Sequence, residues 1–558
     1  MIDSSSNRSL RTVCSEALLL LLSGFIFSVS FPGFIFYNGL PILAFVALIP
    51  MFAVIHNTKF SLTPLYGFIF GVFFYLFYNY WLKSFHPLAI IIVPIIKGGE
   101  LLVLFPILKF VDKFFKKRRY ILMAIIYTAY TYLSQDWFAG YPYGTLGYAT
   151  YDLLPFIQIA SITGIWGINF IMVLPQILLG TYLGEYLNNK TYSFKSFIKE
   201  YKIDVIVYFI VMLAILIFGY VTINKWDNKT PEKEWKVATV QHSADTWKGG
   251  FMTYKRNFNN LRMYSLEAIT QKPDIVLWSE TAFVPSVAWH ENYPSDEETT
   301  ALVEEFVNFG KELSVPLVTG NPEGVIKDPS TPALLEDGSW NRDDYNSVIF
   351  FDNGKIKNTY RKQHLVPFTE YFPYEKQLPW LYKILKDNGY HWWLQGNEPV
   401  VFTTKDGIKF STPICFEDVF GEISAEFVKN GANVLLNMTN DGWANSDVSE
   451  MQHAAIAVFR SVENRKATMR STNSGITCLI DAKGKIIDPM TPFKPGWKIY
   501  KVPVYDSAIE GFTFYTNHPN LFGILSADIS YVAIVLMAIY QLIEYLKKKK
   551  KSGKKDEL

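Results

Sequence analysis

Only three of the 558 residues are cysteine, Cys14, Cys415 and Cys478. An odd count spread over three regions provides neither a disulfide framework nor the paired spacing of a metal site. A strong charge of either sign is missing too. Lysine and arginine number 53 against 51 aspartates and glutamates, a formal net charge of +2, and no basic face points to nucleic acid. No Gly-x-Ser-x-Gly elbow occurs, which argues against a serine hydrolase. Charge is scarce along residues 15–225 and again along 522–545, whereas 230–506 has the composition of an ordinary soluble domain.

What is abundant is apolar: half of the residues are hydrophobic and 16% are aromatic. Apolar runs near 15–30, 39–55, 64–82, 87–108, 120–135, 157–185, 204–223 and 522–545 read as eight membrane spans, the first and fifth being the shortest. The expected fold class is a polytopic α-helical membrane region of about eight spans with an inserted α/β domain. Its parts are 1–229 (membrane region), 230–506 (soluble domain) and 507–558 (closing helix and basic tail). The first run has a second reading as a cleaved signal, with Arg8 and Arg11 ahead of it and a cleavage-like Ser28-Val-Ser30 at its end. Basic clusters at Lys109–Arg119, Lys190–Lys202 and Lys547–Lys551 fall on one side if the spans alternate, and that side is cytoplasmic by the positive-inside rule. The soluble domain then lies outside the cytoplasm, and the terminal Lys-Asp-Glu-Leu, on the wrong side to be read as an address, is a coincidence. Lys97 and Glu100 read either as a functional intramembrane pair or as an ion pair one turn apart. The loop 135–154, rich in Gly, Tyr and Trp, suits a water–lipid boundary, either as an anchor or as the rim of a lipid-facing site.

Within 230–506, strands are expected at 235–241, 274–280, 315–320 and 433–439, and helices at 251–269, 301–313, 423–430 and 449–466. A hairpin joins 347–352 to 355–360 across Asn353-Gly354, and 467–471 pairs with 475–481. Alternating strands and helices imply mixed sheets covered by helices. The segment 408–418, Ile-Lys-Phe-Ser-Thr-Pro-Ile-Cys-Phe-Glu-Asp, reads as a strand delivering Cys415 to a sheet edge, although Pro413 weakens it. A lone cysteine is more often a small buried hydrophobe, which is the reading for Cys478. Cys415 has company. Glu280 ends an apolar strand, where a partly desolvated carboxylate can serve as general base. Lys362, just past the hairpin, can bring positive charge to an oxyanion, and a thiol beside both is an activated nucleophile. Singly, Lys362 is a solvated lysine and Glu280 a strand-end charge. Together, at strand ends of one α/β domain, they make a Glu-Lys-Cys constellation.

Leu277-Trp-Ser-Glu280, Arg361-Lys362-Gln-His-Leu-Val-Pro-Phe-Thr-Glu370 and Pro413-Ile-Cys415-Phe-Glu417 resemble the three motif blocks of the nitrilase superfamily. With the flanking spans, the chain resembles the apolipoprotein N-acyltransferases, the enzyme family that ends bacterial lipoprotein maturation. The resemblance implies an αββα sandwich for 230–506, Glu280 as base, Lys362 as stabiliser of the tetrahedral intermediate and Cys415 as nucleophile. It implies Glu370 as a second, supporting glutamate and Glu417 as a further site residue. Asn346, Asn440-Asp441-Gly-Trp443 and the 470–475 segment with Asn473 also resemble family segments near the site. Phe416, Tyr143 and Gln395 stand where the family has other residues, so grip on substrate is where this chain departs; Tyr143, Trp443 and Asn473 are the candidate substrate contacts. The implied reaction is ping-pong, with Lys362 and the Phe416 backbone amide holding the oxyanion. A phospholipid acylates Cys415, and the α-amine of an S-diacylglyceryl-cysteine apolipoprotein takes the acyl group. No metal or cofactor is called for, and a monomer in the bacterial inner membrane, active on the periplasmic side, is expected. The rival is a membrane-tethered amidase or nitrilase using water. A transporter is disfavoured by the scarcity of charge in the spans and the lack of paired Gly/Pro-broken helices.

Overall fold

Long apolar stretches must satisfy their backbone polar groups internally, and here they do so as helices. The computed structural model describes residues 10–553 except 116, 117, 138, 139, 295 and 337, with side chains as far as 547. Arg8, Lys116 and Lys117, Phe138 and Ala139, the side chains of Lys548–Lys551 and the Lys-Asp-Glu-Leu end lie outside the described residues. Among the described residues six helices are long and apolar enough to cross a membrane: Leu10–Ser30, Phe60–Tyr78, Ala89–Phe114, Ala160–Asn188, Lys202–Asp227 and Leu521–Lys547. Two of the eight expected spans fall short of this. The second is broken into a 3-10 turn, Pro41–Phe45, and a helix, Ile49–Asn57, each with a proline in its first turn. The fifth, Arg119–Leu133, has 15 residues. The first, expected to be among the shortest, has 21.

The intramembrane charges resolve into an ion pair. Lys97 Nζ lies 2.5 Å from Glu100 Oε2, both buried, and the Tyr130 hydroxyl donates to the same oxygen at 3.0 Å. The ammonium also lies 5.7 and 5.9 Å from the ring centroids of Tyr75 and Tyr130, so the helix bundle itself supplies its solvation.

The α/β domain is built on two six-stranded sheets. The first runs in the order Gly496–Val504, Lys233–Gln241, Ile275–Leu277, Leu317–Gly320, Ser347–Asp352, Lys355–Arg361, with its three central strands parallel. The second runs Ile486–Ile487, Cys478–Ile480, Ala467–Thr472, Val434–Thr439, Lys409–Ser411, Phe402–Thr403. Alternation along the strands divides the core. Val237, Ile275 and Leu277 face Phe410, Val434 and Met438 between the sheets, while Ala238, Val276 and Trp278 face the helices Phe251–Ile269 and Glu297–Glu312. Helices Gly421–Lys429 and Asp447–Asn464 cover the second sheet. This is an αββα sandwich, as expected.

Two strands are shorter than their patterns suggested. Ile275–Leu277 ends three residues before Glu280, and Lys409–Ser411 ends well before Cys415. Pro413 has no N–H for the ladder; its carbonyl accepts from Met438 N instead, and only an isolated bridge, Ile414 to Met438, continues the pairing. Cys415 therefore opens a 3-10 turn, Cys415–Val419, and does not end a strand.

The outer helix Asp447–Asn464 is buried along almost its whole length because its far side packs on the membrane helices in one continuous apolar core. Polar staples cross this junction. Gln452 accepts from Trp81 Nε1 and donates to the carbonyls of Pro32 and Tyr78. Arg465 donates to the Gln158 side chain and backbone carbonyl, to Ser161 Oγ and to the Ala482 carbonyl. Arg465→Ala strands these buried acceptors and is expected to cost about 2–4 kcal/mol, read as a lowered melting temperature in detergent; a loss below about 0.5 kcal/mol would contradict this account of the junction.

Candidate active site

An ammonium with no access to water has to be solvated by carboxylates, and the site is built around that requirement. Lys362 is 1% exposed; its Nζ lies 2.8 Å from Glu370 Oε1 and 3.3 Å from Glu280 Oε1. Asn346 Nδ2 donates to the same two oxygens, at 2.8 Å to Glu280 and 2.9 Å to Glu370, so one amide and one ammonium bridge both acids. The second glutamate oxygens are held by backbone: Glu280 Oε2 by Asn440 N at 2.9 Å and Glu370 Oε2 by Val366 N at 2.7 Å. Burial alone would lower the lysine pKa, but Glu370, Glu280 and Cys415 outweigh it and hold the ammonium charged well above the ordinary lysine range. The hairpin that places Lys362 turns on Asn353 and Gly354, both at positive φ. Glu280 approaches because residue 320 is glycine. A Cβ there would sit 2.2 Å from Thr281 N and 2.7 Å from Glu280 Cα.

Cys415 has φ +49°, in the left-handed region that non-glycine residues seldom occupy. Glu417 locks that turn. Its Oε1 accepts from the Tyr360 hydroxyl, Gln363 N and His364 N, and its Oε2 from Ile414 N. One carboxylate thus ties the cysteine turn to the segment carrying Lys362. Burial lifts the Glu417 carboxyl to about 7 against Ile414 N, the Lys362 charge, the Tyr360 hydroxyl and His364 N, which favour the anion. The half-buried Cys415 thiol is also pushed well above its ordinary value, first by burial, then by Glu280, with Lys362 opposing. Burial and Glu280 thus favour the protonated thiol at rest.

The other expected residues surround this centre unevenly. Phe416 is buried against Phe420 and beside His364. Tyr143 stacks on Tyr141 at 5.1 Å and meets Trp81 edge-on at 6.3 Å. Trp443, 39% exposed, packs edge-on against Trp247 at 5.1 Å. Asn473 is fully engaged with Ala244 and Asn440, bracing a loop. Sequence reading gave Tyr360, Asp418 and His453 no role. The His453 ring lies between two acids, Nε2 at 2.7 Å from Asp418 Oδ1 and Nδ1 at 2.7 Å from Asp441 Oδ1. Arg470 spans the same pair, at 2.5 and 2.8 Å. The one available signal was that His453 shares a helix face with apolar residues. Among the described residues no group of three or more His, Cys, Asp or Glu is arranged to hold a metal ion.

An αββα sandwich with Glu, Lys and Cys converging at one end of its sheets is a carbon-nitrogen hydrolase domain, and residues 236–504 match the carbon-nitrogen hydrolase family model. Residues 23–178 match the model of the apolipoprotein N-acyltransferase N-terminal domain. The chain is 36% identical over 536 residues to apolipoprotein N-acyltransferase 1 of Treponema denticola, covering 94% of this chain and 97% of that protein. To apolipoprotein N-acyltransferase 1 of Treponema pallidum it is 34% identical, over 92% of this chain and 94% of that one. To the apolipoprotein N-acyltransferase of Chlorobaculum tepidum it is 29% identical, over 95% and 98%. The chain belongs to the apolipoprotein N-acyltransferase family.

Two expectations follow from the geometry. With the thiol pKa raised, alkylation of Cys415 by iodoacetamide, followed by peptide mass, is expected to rise about tenfold per pH unit through pH 9; a plateau near neutrality would mean a stored thiolate. Gly320→Ala, which drives a methyl group into the Glu280–Thr281 backbone, is expected to slow reactions at Cys415 by about 100-fold through displacement of Glu280. Unchanged rates in a folded Gly320→Ala protein would contradict that close packing.

Proposed function

We propose that this protein transfers a fatty acyl chain from a membrane phospholipid, through a thioester on Cys415, to the α-amine of the S-diacylglyceryl cysteine that begins an apolipoprotein. The observation that carries the reading is the convergence of Glu280, Lys362 and Cys415 where the α/β domain meets the apolar helices. Cys415 packs both on the inter-sheet core and on the core shared with those helices. Glu280 takes the thiol proton as sulfur attacks the ester carbonyl, and Lys362 with the Phe416 amide stabilises the oxyanion. The C–O bond then breaks, the proton passes from Glu280 to the leaving oxygen, and a lysophospholipid departs. In the second half the acceptor amine attacks the thioester and passes a proton through Glu280 to the sulfur, regenerating the thiol. Glu370 and Asn346 hold the base and the lysine in register, and Glu417 does the same for the cysteine turn. Tyr143 and Trp443 are assigned to the substrate path.

In this reading the chain is a monomer of the bacterial inner membrane. Residues 1–229 are the membrane region, 230–506 the catalytic domain on the outer side and 507–558 the closing helix and tail. Substrates that stay in the bilayer explain why a hydrolase-like sandwich is sunk against apolar helices. The test is the intact mass of the purified protein in phospholipid vesicles, beside Cys415→Ala. A gain of one acyl mass, absent from the variant and discharged by a diacylglyceryl-cysteine peptide, is expected. A folded protein that forms no adduct with any phospholipid would overturn the proposal in favour of a water-using amidase.

A further inference from the structure

The acyl-transfer chemistry proposed above leaves a buried cluster beside the site unused, His453 and Arg470 between Asp418 and Asp441. His453 is 4% exposed, Asp418 1% and Arg470 0%. Carboxylate oxygens lie 2.7 Å from both ring nitrogens, and an imidazolium, with an N–H on each, serves both. Arg470 Nη2 also comes to 3.0 Å from Nδ1, a cation–cation contact tolerated because each acid bridges the two cations. Two cations and two anions cancel. Of the groups facing the ring from other elements, Asp418 comes from the cysteine turn, Asp441 from the corner after Val434–Thr439 and Arg470 from Ala467–Thr472. Tyr143, 6.4 Å away between centroids, comes from the membrane-side loop. On its own helix, Glu450 lies one turn back, its carboxyl lifted to about 10 chiefly by burial and then by Asp441, so that it enters as a neutral acid.

The two acids that His453 joins belong to the two halves of the site. Asp418 is in the turn that opens with Cys415. Asp441 adjoins Asn440, whose N–H holds Glu280 Oε2, and it also accepts from Thr439 Oγ1 at 2.9 Å. We propose that His453 is a positioning residue for the acyl transfer: as an imidazolium clamped between Asp418 and Asp441 it sets the spacing between the nucleophile turn and the corner that holds the base. Losing its proton breaks one of the two bridges and leaves the cluster with a net negative charge behind Cys415, where Asp441 already opposes thiolate formation. Burial lowers the histidine pKa, but Asp418 and Asp441 outweigh it, against Arg470, and raise it to about 9. A raised pKa means that its contribution to stability is complete below the ordinary histidine range and is lost as pH rises through about 9.

The experiment measures acyl-thioester formation on the full-length protein in phospholipid–detergent micelles, against lipid concentration and pH, for the wild type, His453→Gln and Asp418→Asn. The glutamine variant is expected to lose about 10- to 100-fold in maximal rate with little change in half-saturating phospholipid. The wild-type maximal rate is expected to fall above about pH 9, and this alkaline limb to be absent from the variant. A wild-type maximal rate in the variant, or an identical alkaline limb, overturns the proposal. If His453→Gln does not fold, Asp418→Asn is read against the same criteria. If even the wild type forms no thioester, the acyl-transfer reading fails, and the positioning role is then judged on iodoacetamide. Alkylation of Cys415 at fixed pH slowed about threefold or more by His453→Gln sustains it, and an unchanged rate ends it.

Discussion

Everything at the site depends on keeping the Lys362 ammonium charged where water cannot reach it. A buried lysine without partners would give up its proton; here Glu280 and Glu370 prevent that. The cost of bringing one cation and two carboxylates out of water is offset only because every remaining oxygen finds a donor, from Asn346, Asn440 N or Val366 N. That requirement draws together the ends of four separate segments. It also bears on the cysteine: burial first, and then the Glu280 carboxylate beside it, favour the thiol over the thiolate.

Glu417 and the His453 cluster apply the same rule one layer out. Glu417 collects four donors from two segments, and His453 with Arg470 balances Asp418 and Asp441. Each is a buried charge whose partners come from distant parts of the chain, so each fixes the distance between those parts. The left-handed backbone at Cys415 is held from both sides by these contacts, which is how a strained turn persists. The membrane region contributes the other boundary. Helix Asp447–Asn464, which carries His453, packs on the second sheet with one face and on the apolar helices with the other, so the site and the membrane-crossing helices share a single core.

Much of this was legible in the chain. The Asn353-Gly354 hairpin, the helix Phe251–Ile269 and the strand Val434–Thr439 follow from local pattern, and the blocks around Glu280, Lys362 and Cys415 carry their chemistry in adjacent residues. The errors have physical causes. Composition alone made residues 39–55 a single span, whereas Pro41 and Pro50 restart the helix. Alternation carried the Cys415 strand past Pro413, which cannot donate to a ladder. His453 went unnoticed because a histidine on a helix shows its charge state only through what faces it, and its partners lie 12, 17 and 35 residues away.

By itself the sequence determined where apolar helix gives way to α/β sandwich and which residues could supply a base, a cation and a nucleophile. Those properties reside in side-chain chemistry and in periodicities over a few turns of chain. Tertiary structure alone decided which acid faces which base, how deeply the thiol is buried, and that His453 lies between Asp418 and Asp441. Charge pairing and desolvation depend on separations of about 3 Å between segments far apart in the chain, and only the folded packing sets those distances.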